Sequence, residues 1–252
     1  AAPPGTAFDV PLTIAAGVSA VPATWYAARG DADAPVLILA HGAGAPQSHP
    51  WMVGAARALH ARGLTIVTFD FPYMAARRKL PDRAPVLEAC WLDVIDRVRA
   101  RVPTGPPLFI GGKSMGGRMA THVAAHHAAR AGDLAGLVLL GYPLHPPGRP
   151  DQRRDAHLPS IHVPALFVQG TRDAFGGPDD LAPALAPLGT LATVHPVIDG
   201  DHAFAVPRAS GRTTPAVLEQ VWDAVAAWVL TRPPRSRMLP ATGAPLDRGH
   251  QP

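Results

Sequence analysis

The stretch that decides the fold is PLFIGGKSMGGR, residues 107–118. Two motifs overlap in it. Gly112-Lys113-Ser114 is the end of a P-loop, which holds the phosphates of a nucleotide with backbone N–H groups. Gly112, Ser114 and Gly116 also form the Gly-x-Ser-x-Gly pattern of a nucleophile elbow, in which a serine attacks carbonyl carbon. The two motifs predict different chemistry, and the neighbouring residues decide between them.

The P-loop interpretation fails at its first glycine. A P-loop has a glycine five positions before Gly112, where this chain has Pro107. Three of the next four residues are the bulky strand formers Leu108, Phe109 and Ile110. Their N–H groups pair in a sheet and do not surround an anion. The sequence therefore predicts no phosphate loop here.

The elbow interpretation fits the same context. Leu108–Ile110 supply a strand and the residues after Gly116 have helical spacing, so Ser114 lies on a sharp strand-to-helix turn. Glycines two positions before and after the serine avoid a steric clash. The helix N-terminus also favours the negative charge that develops on a tetrahedral intermediate.

Lys113 suggests a Ser–Lys dyad. However, adjacent side chains on so tight a turn point apart, so we expect the lysine to be packed or directed to solvent.

A serine nucleophile needs a base, and the base needs an acid that orients it. In this fold class the chain order is Ser, then Asp or Glu, then His. Asp173 ends the buried run LFVQGTRD, and His202 follows the run VHPVIDGD. Parallel strands present functional groups beyond their carboxyl ends. We therefore predict Ser114, Asp173 and His202 as nucleophile, acid and base.

Other residues compete for the base and acid positions. The competing histidines lie on predicted helices or beside strands, where surface or packing roles are expected: His122, His126, His127, His162 and His195. The competing acids are Asp179, Asp180, Asp199 and Asp201. Asp201 is bonded directly to His202 and is poorly placed to orient its ring. Asp173 has the strand-end position that the other acids lack.

An oxyanion hole needs two backbone N–H groups near the serine. The residue after the nucleophile, Met115, is predicted to give one of them. The second is expected from the loop after the third strand, His41-Gly42-Ala43-Gly44, with Ala43 preferred and Gly44 as the alternative. We expect His41, Gly42 and Gly44 to border the substrate, and we favour a bracing role over a chemical one for the His41 ring.

Short apolar runs alternate with helix-patterned segments along the chain. The predicted strands are 8–14, 21–28, 34–42, 64–71, 107–112, 134–143, 163–173 and 191–202, and the predicted helices are 51–63, 85–102, 116–132 and 215–230. The first two strands are predicted as an antiparallel start. The alternation predicts an α/β fold with a mostly parallel central sheet and helices on both faces. We expect one domain over 1–230, and a disordered Pro/Arg-rich tail over 231–252.

The composition narrows the function classes. With 47% hydrophobic and 17% charged residues, the chain is not of the disordered class. Its net charge of +4 comes with no nucleic-acid motif and no apolar run that spans a bilayer, so we expect neither nucleic acid nor membrane as a partner. Cys90 is the single cysteine, which rules out a disulfide within the chain and fits a reducing, cytoplasmic location.

Residues 10–230 resemble an α/β-hydrolase, of the dienelactone-hydrolase-like branch and its KANL3/Tex30-like group. The resemblance rests on HGAGAP (41–46), GGKSMGGRMA (111–120), GYPLHPPGRPDQ (141–152), PALFVQGTRDAFG (164–176) and GDHAF (200–204). It implies Ser114 as nucleophile, Asp173 as acid and His202 as base. Dienelactone hydrolases proper have a cysteine at the elbow, so Ser114 argues against dienelactone as the substrate.

About twenty residues separate the strand that ends near Tyr142 from the one that starts near Val163. They form a Pro/Arg-rich loop with no room for a helical cap. We expect an open site with little or no cap, bordered by Tyr142 and His145, for soluble esters with a short acyl group. The predicted enzyme is a carboxylesterase that acts through an acyl-enzyme, as monomer or homodimer, without metal or organic cofactor. A thioesterase, a peptidase and a non-catalytic interaction scaffold remain the alternatives.

Overall fold

The computed structural model of the protein describes residues 5–14, 16–28, 30–31, 33–102 and 105–232. The prediction of a disordered tail concerns 231–252, and all but two of those positions lie outside the described residues.

Eight strands form one sheet in the order β1-β2-β4-β3-β5-β6-β7-β8. The strands are β1 Thr6–Pro11, β2 Ala20–Tyr26, β3 Val36–Ala40, β4 Thr65–Phe69, β5 Leu108–Lys113, β6 Leu134–Leu140, β7 Ala165–Gly170 and β8 Ala192–Val197. Strand β2 pairs antiparallel with β1 and β4, and every pair from β4 to β8 is parallel. Strands β3, β4, β6 and β7 are buried throughout, as expected for a parallel sheet covered on both faces. The predicted mostly parallel sheet with an antiparallel start is confirmed.

Seven α-helices occur in the described residues: α1 Pro50–Ala61, α2 Pro72–Ala75, α3 Ala84–Arg99, α4 Met115–His126, α5 Ala128–Ala131, α6 Pro178–Leu185 and α7 Thr214–Leu230. The apolar sides of α3, α4 and α6 share one core with one face of the sheet. The apolar sides of α1 and α7 share a second core with the opposite face. This confirms the prediction of helices on both faces. In the same part of the chain, no helix is long and apolar enough to cross a membrane.

The predicted helices leave out the one-turn helix α2 and helix α6, and the helix expected over 116–132 is divided in two. The helix expected over 116–132 ends at His126, because His127 leaves the helical region with φ −125° and ψ 27°, and α5 follows as a separate turn. Helix α6 was not predicted from its proline-rich sequence. Pro178 occupies the first turn, where a missing N–H has no cost, and the Asp180 carboxylate accepts the Gly177 N–H at 2.8 Å.

The predicted site residues follow the carboxyl ends of neighbouring parallel strands. Ser114 directly follows β5, and Asp173 and His202 lie beyond β7 and β8. Residues 141–164, which join β6 to β7, contain only a short 3₁₀ helix, Leu158–Ser160. This segment therefore places no helical cap over the site, as predicted.

Candidate active site

Ser114 stands at a strained point of the backbone. It has φ 51° and ψ −118°, between the end of β5 and the first residue of α4, and its N–H donates to the Leu140 carbonyl at 3.0 Å. A non-glycine residue in this region costs about 1–3 kcal/mol, and surrounding structure must hold it there. The predicted strand–turn–helix is confirmed. It places the hydroxyl at the carboxyl end of the central strand β5.

The glycines on either side of the serine are required by close backbone approach. A Cβ atom on Gly112 would lie 2.3 Å from the Ala40 carbonyl oxygen. One on Gly116 would lie 2.5 Å from the carbonyl oxygens of both Ala40 and His41. Gly112 also pairs with β3 and β6 within the sheet, so its backbone does not form a phosphate loop.

The structure brings Ser114, His202 and Asp173 together. Nε2 of His202 lies 2.9 Å from the Ser114 hydroxyl, and Nδ1 lies 2.8 Å from Oδ2 of Asp173. The Asp173 side chain is fully buried, whereas the His202 side chain is 25% exposed. This arrangement leaves the serine end of the chain of hydrogen bonds open to solvent and encloses the acid end. The competing acids and histidines take no part in it.

Asp173 and His202 have further partners that the sequence analysis missed. Gln169 donates from Nε2 to Oδ2 of Asp173 at 3.0 Å, and the Phe175 N–H donates to Oδ1 at 2.8 Å. The Phe175 ring stacks on the His202 ring with 4.2 Å between centroids. These contacts hold both groups in one orientation. Both partners lie within four residues of Asp173, in the run VQGTRDAFG, which is the signal that could have indicated them.

The predicted oxyanion loop lies beside the serine. A Cβ atom on Gly42 would lie 3.7 Å from Cβ of Ser114. The Tyr73 hydroxyl donates to the Ala43 carbonyl at 2.9 Å, which fixes the orientation of that peptide. Met115 is the first residue of α4, where N–H groups have no partner within the helix. Gly44 is exposed on the same loop. The roles of Met115, Ala43, Gly42 and Gly44 stay predictions.

Two of the predicted substrate-binding side chains are enclosed by protein. His41 is 0% exposed, and its Nδ1 is 2.7 Å from the Gly42 carbonyl while its Nε2 accepts the Phe71 N–H at 3.0 Å. Burial lowers the pKa of this imidazole, so the ring is neutral and braces the loop. Tyr142 is 1% exposed, and its hydroxyl donates to the Arg154 carbonyl at 2.6 Å. The burial of His41 fits the bracing role expected for its ring, and neither side chain has an exposed surface that could contact a substrate. Their assignment to the substrate site stays a prediction.

His145 is also mostly buried. Its Nδ1 lies 2.9 Å from the Pro146 carbonyl, and its Nε2 lies near Gly176, on the loop that follows Asp173. It therefore packs the β6–β7 connection against the acid loop. Its contact with substrate stays a prediction.

The model of the family described as "Alpha/beta hydrolase domain" matches residues 33–230, which include all three residues of the Ser114–His202–Asp173 chain. The chain belongs to the α/β-hydrolase family.

Solved structures agree with this α/β-hydrolase over most of its length. A dienelactone hydrolase from Anabaena variabilis has 19% identity and a TM-score of 0.69, with 92% of this chain and 100% of that chain covered. A serine hydrolase without a lid from Xanthomonas campestris has 21% identity and a TM-score of 0.66, covering 90% and 95%. A serine hydrolase homologue from Coxiella burnetii has 15% identity and a TM-score of 0.69, covering 89% and 97%. At these identities the likeness shows the fold.

Lys113 holds the loop that carries His202. Its ammonium group donates to the His202 carbonyl oxygen at 2.5 Å. The rings of Trp51 and Phe204 lie 5.8 Å from the nitrogen, within the range of cation–π attraction. The side chain is packed, and points away from the serine hydroxyl to the backbone of the histidine. Burial lowers its pKa to about 8 from 10.5.

This burial predicts a pH dependence of stability that a Lys113→Met variant lacks. Between pH 8 and 10.5 the unfolded state binds the lysine proton and the folded state releases it. The wild-type free energy of unfolding therefore rises with pH in this window, by at most about 1.4 kcal/mol per pH unit from this group. Below about pH 8 Lys113 is charged in the folded state as well, so the wild type carries the full free-energy cost of burying that charge.

The measurement is urea unfolding of wild type and Lys113→Met from about pH 7 to pH 10. The difference in free energy, wild type minus variant, is expected to increase with pH. The matched control is Lys79→Met, at the other lysine of the chain, which is exposed. For this variant the difference in free energy of unfolding from wild type is expected not to change with pH. A flat difference for Lys113→Met would contradict the lowered pKa.

Proposed function

We propose that this α/β-hydrolase is a serine carboxylesterase that acts on small, soluble esters through an acyl-enzyme intermediate. The observation that carries the proposal is the continuous chain of hydrogen bonds, 2.9 Å from Ser114 to His202 and 2.8 Å from His202 to Asp173, built on a strained serine at the edge of the sheet. A scaffold protein has no use for a serine held at this cost.

The geometry supports a two-step reaction. His202 accepts the Ser114 proton at Nε2 as the serine oxygen bonds to the ester carbonyl carbon. The carbonyl oxygen becomes an oxyanion, for which we assign the N–H groups of Met115 and Ala43 as donors. Asp173 holds the Nδ1–H tautomer of His202 and stabilises the imidazolium.

The tetrahedral intermediate then collapses. The ester C–O bond breaks, and His202 gives its proton to the leaving alcohol, which leaves an acyl group on Ser114. Water attacks this ester with His202 again as base, and the second collapse releases the acid and restores the serine. These steps use only groups of this chain and water.

The absence of a helical cap in the β6–β7 connection supports the proposal of a small, soluble substrate. The β6–β7 connection carries no helical cap, so this segment provides no helix that would enclose a long acyl chain over the site. Among the solved structures of the same fold is Est1E from Butyrivibrio proteoclasticus with ferulic acid bound. Within the family, we assign the chain to the KANL3/Tex30-like group on the stretch GYPLHPPG.

The test combines a covalent probe with a substrate panel. A fluorophosphonate probe is expected to label the folded protein once per chain, at Ser114 in a peptide map. In a panel of p-nitrophenyl esters, kcat/KM is expected to be highest for acetate or butyrate and to fall by about tenfold or more by dodecanoate.

The same panel separates the alternatives. A matched thioester or anilide that is turned over faster than the oxygen ester would replace the esterase by a thioesterase or a peptidase on the same residues. Folded protein that neither reacts with the probe nor hydrolyses any member of the panel would overturn the proposal in favour of the scaffold.

A further inference from the structure

A second group of chemically active side chains lies apart from Ser114. We call it the histidine cluster, and its members are Glu88 on α3, His122 and His126 on α4, His127 just after α4, and His157 on the β6–β7 connection. His122 comes eight residues after Ser114, about 12 Å along the helix axis. The reaction at the serine does not use this cluster.

The cluster is centred on the Glu88 carboxylate. Its Oε1 is 3.0 Å from Nδ1 of His122, and its Oε2 is 2.9 Å from Nε2 of His127. The rings of His122 and His157 lie 4.0 Å apart between centroids, and His122 and His126 lie 5.5 Å apart. Potential ligand atoms of Glu88, His122 and His126 all fall within 4.8 Å of one another.

We propose that Glu88, His122 and His126 form a binding site for one Zn²⁺ ion. One carboxylate and two imidazoles are the ligand types that zinc takes in proteins. The histidines are four residues apart on α4, so both rings project from the same face of the helix. The proposal gives His122 and His126 a role beyond the surface or packing roles expected from the sequence, and it departs from the sequence-based expectation that the protein holds no metal.

The distances suit such an ion after a small rearrangement. Two ligands at 2.0–2.1 Å from a tetrahedral zinc ion lie about 3.3 Å apart. Glu88 and His122 already have nearly this separation at 3.0 Å. His126 is exposed, so its ring is free to turn inward and solvent gives the ion a way in. Binding replaces the hydrogen bond between Glu88 and His122, and any proton on the liganding nitrogen leaves to water.

The site would tie two helices together. Glu88 brings α3, and His122 and His126 bring α4. The His157 ring packs against His122 with 4.0 Å between centroids, and its Nε2 lies 2.8 Å from the Thr121 hydroxyl. The positive charge of Arg118, one turn before His122, repels a cation at this site. The negative charge of the Glu88 carboxylate offsets that repulsion. The ion therefore holds α3 against α4, the helix that begins directly after Ser114, and takes no part in the reaction itself.

The experiment uses the untagged, chelator-treated protein. Wild type is expected to bind one Zn²⁺ per chain by calorimetry, and saturating Zn²⁺ is expected to raise Tm by roughly 5 °C. Co²⁺ in its place is expected to give visible absorption bands typical of nitrogen and oxygen ligands. His126→Asn removes an exposed ligand without disturbing the core, and is expected to lower the affinity at least about 100-fold and abolish the Tm shift.

The control is His195→Asn, on β8 and outside the cluster, which is expected to bind Zn²⁺ like wild type. Absence of saturable binding at one ion per chain would overturn the proposal and leave the cluster as a set of hydrogen bonds. Equal affinity in His126→Asn and wild type would place the zinc elsewhere, and would also overturn it.

Discussion

A Ser114→Ala variant is expected to lose about six orders of magnitude in kcat on p-nitrophenyl butyrate, the loss seen when the serine of a comparable triad is removed. Alanine has no oxygen that could bond to the carbonyl carbon, so His202 and Asp173 have no proton to move. Residual activity is expected from the oxyanion donors and substrate binding alone, at about 10³–10⁴ over water. KM should change much less, because the hydroxyl contributes little to binding of the intact ester.

The loss must be shown to be chemical and not structural. Alanine keeps the Cβ atom and the hydrogen bond from the backbone N–H to the Leu140 carbonyl oxygen. We therefore expect Tm to stay within a few degrees of wild type. Fluorophosphonate labelling should disappear with the activity. Ser160→Ala, at an exposed serine in the 3₁₀ helix, is the matched control and should retain both. A folded Ser114→Ala variant with more than a tenth of the wild-type kcat would refute the assignment of the nucleophile.

The residues brought together at Ser114 could be predicted because each follows a strand. Chain order and the end of a buried run are properties of the sequence, and a parallel sheet turns them into proximity in space. The same reasoning fails for side-chain direction. Tyr142 follows β6, yet its ring packs inward and its hydroxyl bonds to Arg154, because the chain returns over it from a position twelve residues later.

Lys113 shows the same limit. The sequence indicates that the side chains of Lys113 and Ser114 point apart on the turn. It does not indicate which group accepts a hydrogen bond from the lysine ammonium. The acceptor is a carbonyl 89 residues away, on a loop whose course depends on the rest of the fold. Long-range partners of this kind have no signature in the local sequence. Helix α6 is the opposite case, because its acidic first turn was a local signal that the surrounding prolines concealed.

An Asp173→Asn variant is expected to lose about four orders of magnitude in kcat while KM changes little. The carboxylate accepts three hydrogen bonds, from His202 and Gln169 at Oδ2 and from the Phe175 N–H at Oδ1. An amide has one accepting oxygen in place of two. With that oxygen toward Phe175, the amide NH₂ faces His202 and forces the proton to Nε2, where the ring can no longer accept the serine proton.

The opposite amide orientation has its own cost. The oxygen then accepts from His202 and Gln169, but the NH₂ group faces the Phe175 N–H, and this partly buried donor is left without an acceptor at a cost of about 1 kcal/mol. The first orientation turns the NH₂ group toward the Gln169 donor as well. Both orientations therefore predict a less stable protein, and the first also predicts loss of catalysis. The measurement is kcat and Tm of Asp173→Asn beside Asp179→Asn, an exposed acid that should stay within twofold of wild type. An Asp173→Asn enzyme within tenfold of wild-type kcat would show that His202 does not depend on this carboxylate for its tautomer.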